Sequence, residues 1–222
     1  MKRDYIDEII AKKSRLRKRG GRWDQATNRI DGLIELSNFL EASKVKELPF
    51  RNETAKYLPI GFVACIEGYF RLVYRDLIDH GDPYRINATK FKDIRVGIDH
   101  IIAMQSGKIT CGEFIAHLLP ANNIEDIDSC MSILLGEPFI EKVKKYEYAI
   151  DDNKPKKSIK QIGLDQSIFQ DLKIMFDLRH ICAHELAPKI RIRIPYLFRL
   201  SGSAFMLMYL TDSILEELHI TG

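Results

Sequence analysis

The stretch Asp177-Leu178-Arg179-His180-Ile181-Cys182-Ala183-His184-Glu185 sets an arginine and two histidines at the end of an otherwise apolar segment. Ionisable groups in an apolar surface are costly unless they are paired or put to work. Arginine and histidine together are what metal-free cleavage of an RNA phosphodiester requires. An imidazole can take the proton of a 2′-hydroxyl or donate one to the leaving 5′-oxygen. A guanidinium can neutralise charge that builds on the phosphoryl oxygens. Positions 168, 172, 175, 179, 182 and 186 follow helical spacing and hold Ile, Leu, Met, Arg, Cys and Leu. Arg179 therefore falls on the buried stripe rather than opposite it. Its charge persists there, so it needs a carboxylate, a phosphate or a crevice. His180 and His184 are four apart and share a neighbouring face. His184 also lies in the last turn, where the helix dipole favours positive charge. As a zinc motif the pair is incomplete, with no glutamate beside the first histidine and no evident third ligand. Neither a metal nor a cofactor is expected.

A second group of residues lies upstream, in Ile60-Gly61-Phe62-Val63-Ala64-Cys65-Ile66-Glu67-Gly68-Tyr69-Phe70-Arg71. Glu67 is surrounded by apolar residues, where a carboxylate must be paired or protonated. Two partners are open to it: Arg71 one turn on, or Arg179 across helices. The second would orient the guanidinium and keep it from collapsing into the core. A purely structural use of the same residues is the alternative, with Arg179 enclosed by Glu67 and His180 half-buried.

The elements that must position these groups read as helices. Tyr5, Ile6, Ile9, Ile10 and Leu16 mark a first amphipathic helix ending near Gly20-Gly21, and a second runs from Asn28 to about Ser43. Thr54 to His80 predicts the longest and most buried helix, passing Pro59, with Gly61 and Gly68 expected where another backbone comes close. Residues 89–150 read as several short helices with joints at 106–108 and 120–123, Asn123 and Asp126 marking a helix start. Residues 151–160 read as a linker, and a helix from Asp165 to His184 follows. A short β-like piece is expected at 190–194, where arginines alternate with isoleucines, and a last helix from Ser201 or Ser203 to His219.

The chain has 222 residues, 45% hydrophobic and 29% charged, with a net charge of +3, a balance that fits one ordinary globular domain. Distribution says more than the total. Lys12, Lys13, Arg15, Arg17, Lys18, Arg19 and Arg22 form a run without an acid, and Lys189, Arg191, Arg193 and Arg199 follow the Arg/His cluster. Such patches can steer a polyanion, or they can be solvated surface. Cys65, Cys111, Cys130 and Cys182 are widely spaced, with no CxxC pair, which excludes a disulfide framework and a cysteine zinc site. The first residues lack the apolar core of a secretory signal, and Leu58 to Tyr74 is broken by Glu67 and Arg71, so a cytoplasmic protein without a membrane span is expected.

Arg179, four intervening residues and His184, at the end of a long core helix, resemble the RX4–6H motif of the HEPN superfamily, and 63–71 resembles its first core helix. The prokaryotic toxin and defence branch is the nearest likeness. It covers residues 28–80 and 160–218. The resemblance implies an all-α, HEPN-like helical bundle forming a single domain over 1–222, with a basic N-terminal helix at 1–22 and a family-specific helical insertion at 89–150. It implies a homodimer whose paired motifs form one cleft, acting as a metal-independent endoribonuclease that leaves 2′,3′-cyclic phosphate ends, in a toxin–antitoxin or phage-defence role. Arg179 and His184 would be the catalytic pair, with His180 and Glu67 supporting. The basic residues at 12–22 and 189–193 would hold the RNA backbone, and an antitoxin or regulatory protein is a further implied partner. Some members of the superfamily only bind RNA, nucleotide or a protein partner.

Overall fold

The computed structural model describes residues 4–16, 20–42, 48–92, 94–148, 157–158, 167–185 and 189–220. The fold is all-α. The helices are α1 (Tyr5–Arg15), α2 (Arg22–Ala42), α3 (Leu48–His80), α4 (Tyr84–Ala88), α5 (Ile98–Gln105), α6 (Cys111–Leu118), α7 (Ile124–Leu135), α8 (Phe139–Lys145), α9 (Ser167–His184) and α10 (Ile194–Glu217). One antiparallel pair of two-residue strands, β1 (Glu147–Tyr148) and β2 (Lys157–Ser158), is the only sheet among the described residues.

Helix α3 is the axis of the bundle, and α2, α9 and α10 pack around it. Leu58, Val63, Ile66, Phe70, Val73 and Leu77 along α3 are at most 1% exposed, and they meet Leu172 and Met175 of α9 and Leu207 and Leu210 of α10 in one continuous core. Pro59 lies inside α3 without ending it. Gly61 does meet a close neighbour, but a side chain and not the backbone expected: a Cβ there would lie 2.7 Å from Leu33 of α2. Gly68 does not: the space beside it is open.

Helices α7 and α8, within the expected insertion, are built into the main core. Ile127, Met131 and Phe139 are fully buried against the main cluster. Helix α6 lies on α3, fixed by Gly112 and Thr110, whose backbone N–H and hydroxyl both donate to Asp79. Asn123 caps α7 through the Asp126 backbone N–H at 2.6 Å, as the sequence predicts. Helix α1 docks on α6 through a smaller cluster of Ile9, Ala103, Ile109 and Phe114.

Four boundaries differ from expectation, one being that helix α3 begins at Leu48 and not at Thr54. Helix α2 begins at Arg22, not Asn28, so Arg22 does not belong to the N-terminal basic helix. Residues 190–194 form no strand, because Ile194 is already the first residue of α10 and Pro195 occupies its first turn. Helix α10 therefore starts well before Ser201. The start expected at Asp165 and most of the 151–160 linker lie outside the described residues. No described helix is long and apolar enough to cross a membrane.

Burial pushes the Cys65 and Cys130 thiols up from 9.0 to about 11, and burial also raises the phenols of Tyr69 and Tyr74. The fold favours the neutral thiols, so their stabilising share is complete below pH 9 and is lost as pH rises through about 11. Each thiol is expected to forfeit about 2 kcal/mol by roughly pH 11. Calorimetric melting temperatures should fall steadily above pH 9; a flat profile from pH 9 to pH 11 would contradict this account of the core.

Candidate active site

Glu67 and Arg71 stand one turn apart on α3, and Arg179 faces them from α9. One carboxylate oxygen of Glu67 accepts from Arg179 Nη2 at 3.0 Å, and the other accepts from Arg71 Nη1 at 3.5 Å. Glu67 thus takes both partners that the sequence left open to it. The carboxylate is nearly enclosed, its side chain 13% exposed, while Arg179 keeps 27% of its side chain open to solvent. Among the described residues Glu67 is the only hydrogen-bond partner of Arg179, which leaves further guanidinium donors for an incoming oxyanion. The arginine is oriented but not sealed.

The geometry follows from the helix. Ile168, Leu172 and Met175 bury the α9 stripe completely, and Arg179 continues it to the point where the core opens. Opposing helix directions bring the end of α9 to the beginning of α3: Arg179 meets Glu67, and Cys182, three residues on, senses Lys56 and Glu53. Burial raises the Cys182 thiol above its ordinary value.

His180 and His184 are both exposed, with ring centroids 5.1 Å apart and planes inclined at 50°. No described contact joins either ring to Arg179. A five-residue step turns about 140° around a helix, so Arg179 and His184 leave α9 in different directions. One protomer therefore presents an oriented guanidinium and an exposed imidazole pair as two separate groups.

The basic residues divide. Lys189, Arg191 and Arg193 are exposed just beyond the histidines, on the connection into α10. Arg199 is tied to Asp171 at 2.9 Å and lies over the Tyr196 ring. Arg15 is exposed on α1, Lys12 approaches His117 at 3.1 Å, and Lys13 pairs with Glu113 at 2.8 Å. Arg17, Lys18 and Arg19 lie outside the described residues. Arg22 is a correction: it is 3% exposed and cannot hold RNA, because its guanidinium binds Asp212 at 2.6 Å, Asp76 at 3.1 Å and the Ile220 carbonyl at 3.0 Å. Among the described residues, no three His, Cys, Asp or Glu side chains gather as metal ligands.

Sequence reasoning missed Arg75, which with Glu67 and Arg71 continues the i, i+4, i+8 row on α3 and grips Asp76. That spacing was the available signal. It also missed His117, whose ring contacts Glu8 at 3.0 Å, and nothing local marked it.

Glu67→Gln should separate positioning from packing. The amide keeps the shape but loses the charge that holds Arg179, so the RNA cleavage that the motif leads one to expect should fall about tenfold with the melting temperature little changed. A collapse in stability with activity per folded molecule intact would mark the pair as purely structural.

No protein-family model, curated protein or solved structure matches this chain.

Proposed function

We propose that this chain is a metal-independent endoribonuclease of the HEPN type, with Arg179 and His184 as its catalytic pair. The observation that carries the reading is the half-open Arg179 guanidinium, held by Glu67 at the mouth of the core, one turn from an exposed imidazole pair. In the proposed reaction a histidine removes the 2′-hydroxyl proton, and the 2′-oxygen attacks phosphorus. The P–O5′ bond breaks, and a second protonated group supplies the proton to the departing 5′-oxygen. The products are a 2′,3′-cyclic phosphate and a 5′-hydroxyl. Arg179 neutralises the extra charge carried by the phosphoryl oxygens in between. His180 stands close enough to His184 to serve as the second proton carrier.

Because Arg179 and His184 leave one helix on different sides, a complete cleft requires a second copy related by a two-fold axis. Exposed Phe50 and Tyr57 at the start of α3, beside the end of α9, support this surface as the contact. Lys189, Arg191 and Arg193 would flank the RNA backbone. A cellular role as a toxin or phage-defence nuclease, in the cytoplasm and under a protein partner's control, belongs to the same proposal.

One observation favours a second reading. Within a single chain neither histidine touches Arg179, which suits a module that binds RNA, a nucleotide or a protein without cutting. Incubating the purified protein with mixed structured RNAs in EDTA separates the two. Cleavage with cyclic phosphate ends supports the nuclease; retention of intact RNA in a stable complex supports the binding module.

A further inference from the structure

His180 and His184 stand exposed near the end of α9. Their spacing of four residues places them one turn apart on the same side of the helix. Their ring centroids are 5.1 Å apart. Among the described residues neither ring has a hydrogen-bond or ion-pair partner. In its neutral form each therefore offers a nitrogen lone pair.

Imidazole suits zinc, nickel and copper, whereas magnesium and calcium take oxygen ligands. Zinc binds an imidazole nitrogen at about 2.0–2.1 Å and prefers a tetrahedral shell. Each ring centroid then lies roughly 3 Å from the metal, and two rings on one ion have centroids about 5 Å apart. The pair on α9 already has that separation. Both rings are exposed, so turning a nitrogen of each toward a shared ion moves no core residue.

The surroundings favour a cation at this place. His184 lies in the last turn of α9, at the negative end of the helix dipole. Asp177, exposed three residues before His180, adds a negative charge on the same side of the helix. Arg179 is turned toward Glu67. No third side chain gathers here among the described residues, so water completes the shell. That makes the pair a reversible chelate, not a structural centre with a closed set of protein ligands.

We propose that His180 and His184 chelate one zinc ion, and that the bound ion switches the candidate active site off. Binding stands on the geometry of the pair alone. The inhibition rests on the ribonuclease reading. A nitrogen that carries zinc has no lone pair to take the 2′-hydroxyl proton and no proton to give to the leaving oxygen.

The first arm of the test needs no RNA. The untagged full chain, stripped with EDTA and dialysed, is titrated calorimetrically with zinc chloride. One zinc per chain is expected, and magnesium chloride should give no binding. His180→Ala and His184→Ala should each weaken zinc binding by about a hundredfold, because a single imidazole loses the advantage of a linked second one. His219→Ala, at an exposed histidine elsewhere, should leave it unchanged. The ring C–H resonances of His180 and His184 should move together on titration, while those of His80, His100, His117 and His219 stay in place. Absence of one-to-one zinc binding, binding that survives both alanine variants, or binding lost in His219→Ala overturns the site.

The second arm follows RNA cutting by the same protein. Saturating zinc should slow cutting by about a hundredfold or more, excess EDTA should restore it, and magnesium should not imitate zinc. Cutting that continues or quickens with the pair saturated overturns the inhibition. Zinc bound by the pair in a protein that cuts no RNA leaves the chelate standing and removes the nuclease. RNA cutting by a protein whose histidines bind no zinc does the reverse.

Discussion

Arg179→Ala and His184→Ala are each expected to reduce RNA cleavage by about 10²–10⁴-fold while the protein stays folded. The size follows from the roles. An imidazole in proton transfer and a guanidinium on the phosphoryl oxygens each act on a group that carries charge only in the transition state. The intact fold follows from the surroundings. His184 is exposed, and its loss uncovers no core. Removing Arg179 leaves the Glu67 carboxylate paired with Arg71, so no buried charge is orphaned. Arg179→Lys should recover only part of the activity, because a lysine keeps the charge but not the planar fork. The double variant should be scarcely worse than either single one, since the two groups act on the same step. Melting curves beside the rate measurements decide the matter. Cutting that persists within tenfold of the parent in either folded alanine variant removes that residue from the reaction.

The largest effect on stability is expected far from this chemistry, at Arg22. Its guanidinium ties three helices together: α2 carries it, α3 supplies Asp76, and α10 supplies Asp212. A second carboxylate on α3 is thus bridged by two arginines, since Arg75 also grips Asp76. Unlike Glu67, this bridge is sealed, with the Arg22 and Asp76 side chains 3% and 6% exposed. Burial alone would lower the arginine, yet Asp212 and the Asp76 hydrogen bond raise it overall, so it stays charged. Arg22→Ala leaves Asp212 with the Tyr69 hydroxyl and leaves the Ile220 carbonyl without its donor. Breaking a buried pair on one side costs about 3–5 kcal/mol. In a chain of this size that corresponds to a fall of roughly 10 °C or more in melting temperature. Arg22→Lys should lie between the two. A change under about 1 kcal/mol for Arg22→Ala would contradict the clasp.

Contrast between these two arginines shows which parts of the molecule were legible in the sequence. Glu67 interrupts a helical apolar run, and a carboxylate so placed must find a cation, so the need for a partner follows from burial, with Arg71 and Arg179 both open to it. Arg22 sits in a run of basic residues and looks like the rest of them. Its partners are 54 and 190 residues away, and nothing local distinguishes a buried arginine from a solvated one. The same blindness hid the first turn of α2. At 190–194 the arginine–isoleucine alternation mimics a strand, but Pro195 in the first turn of α10 was a readable helix start. Long helices with strong apolar periodicity, α3 and α9 above all, were plain because their cores are set by local spacing.

The most direct test of the proposed 2′-hydroxyl attack uses two RNA strands that differ at one sugar. After the cleaved bond is mapped, one strand keeps its 2′-hydroxyl at that nucleotide and the other carries 2′-deoxyribose there. Both are incubated with the protein in EDTA. The first should be cut to a 2′,3′-cyclic phosphate and a 5′-hydroxyl, and the second should survive at that bond. Equal cutting of both strands, or no cutting in chelator of an RNA that is cut with divalent metal present, would contradict the proposed reaction.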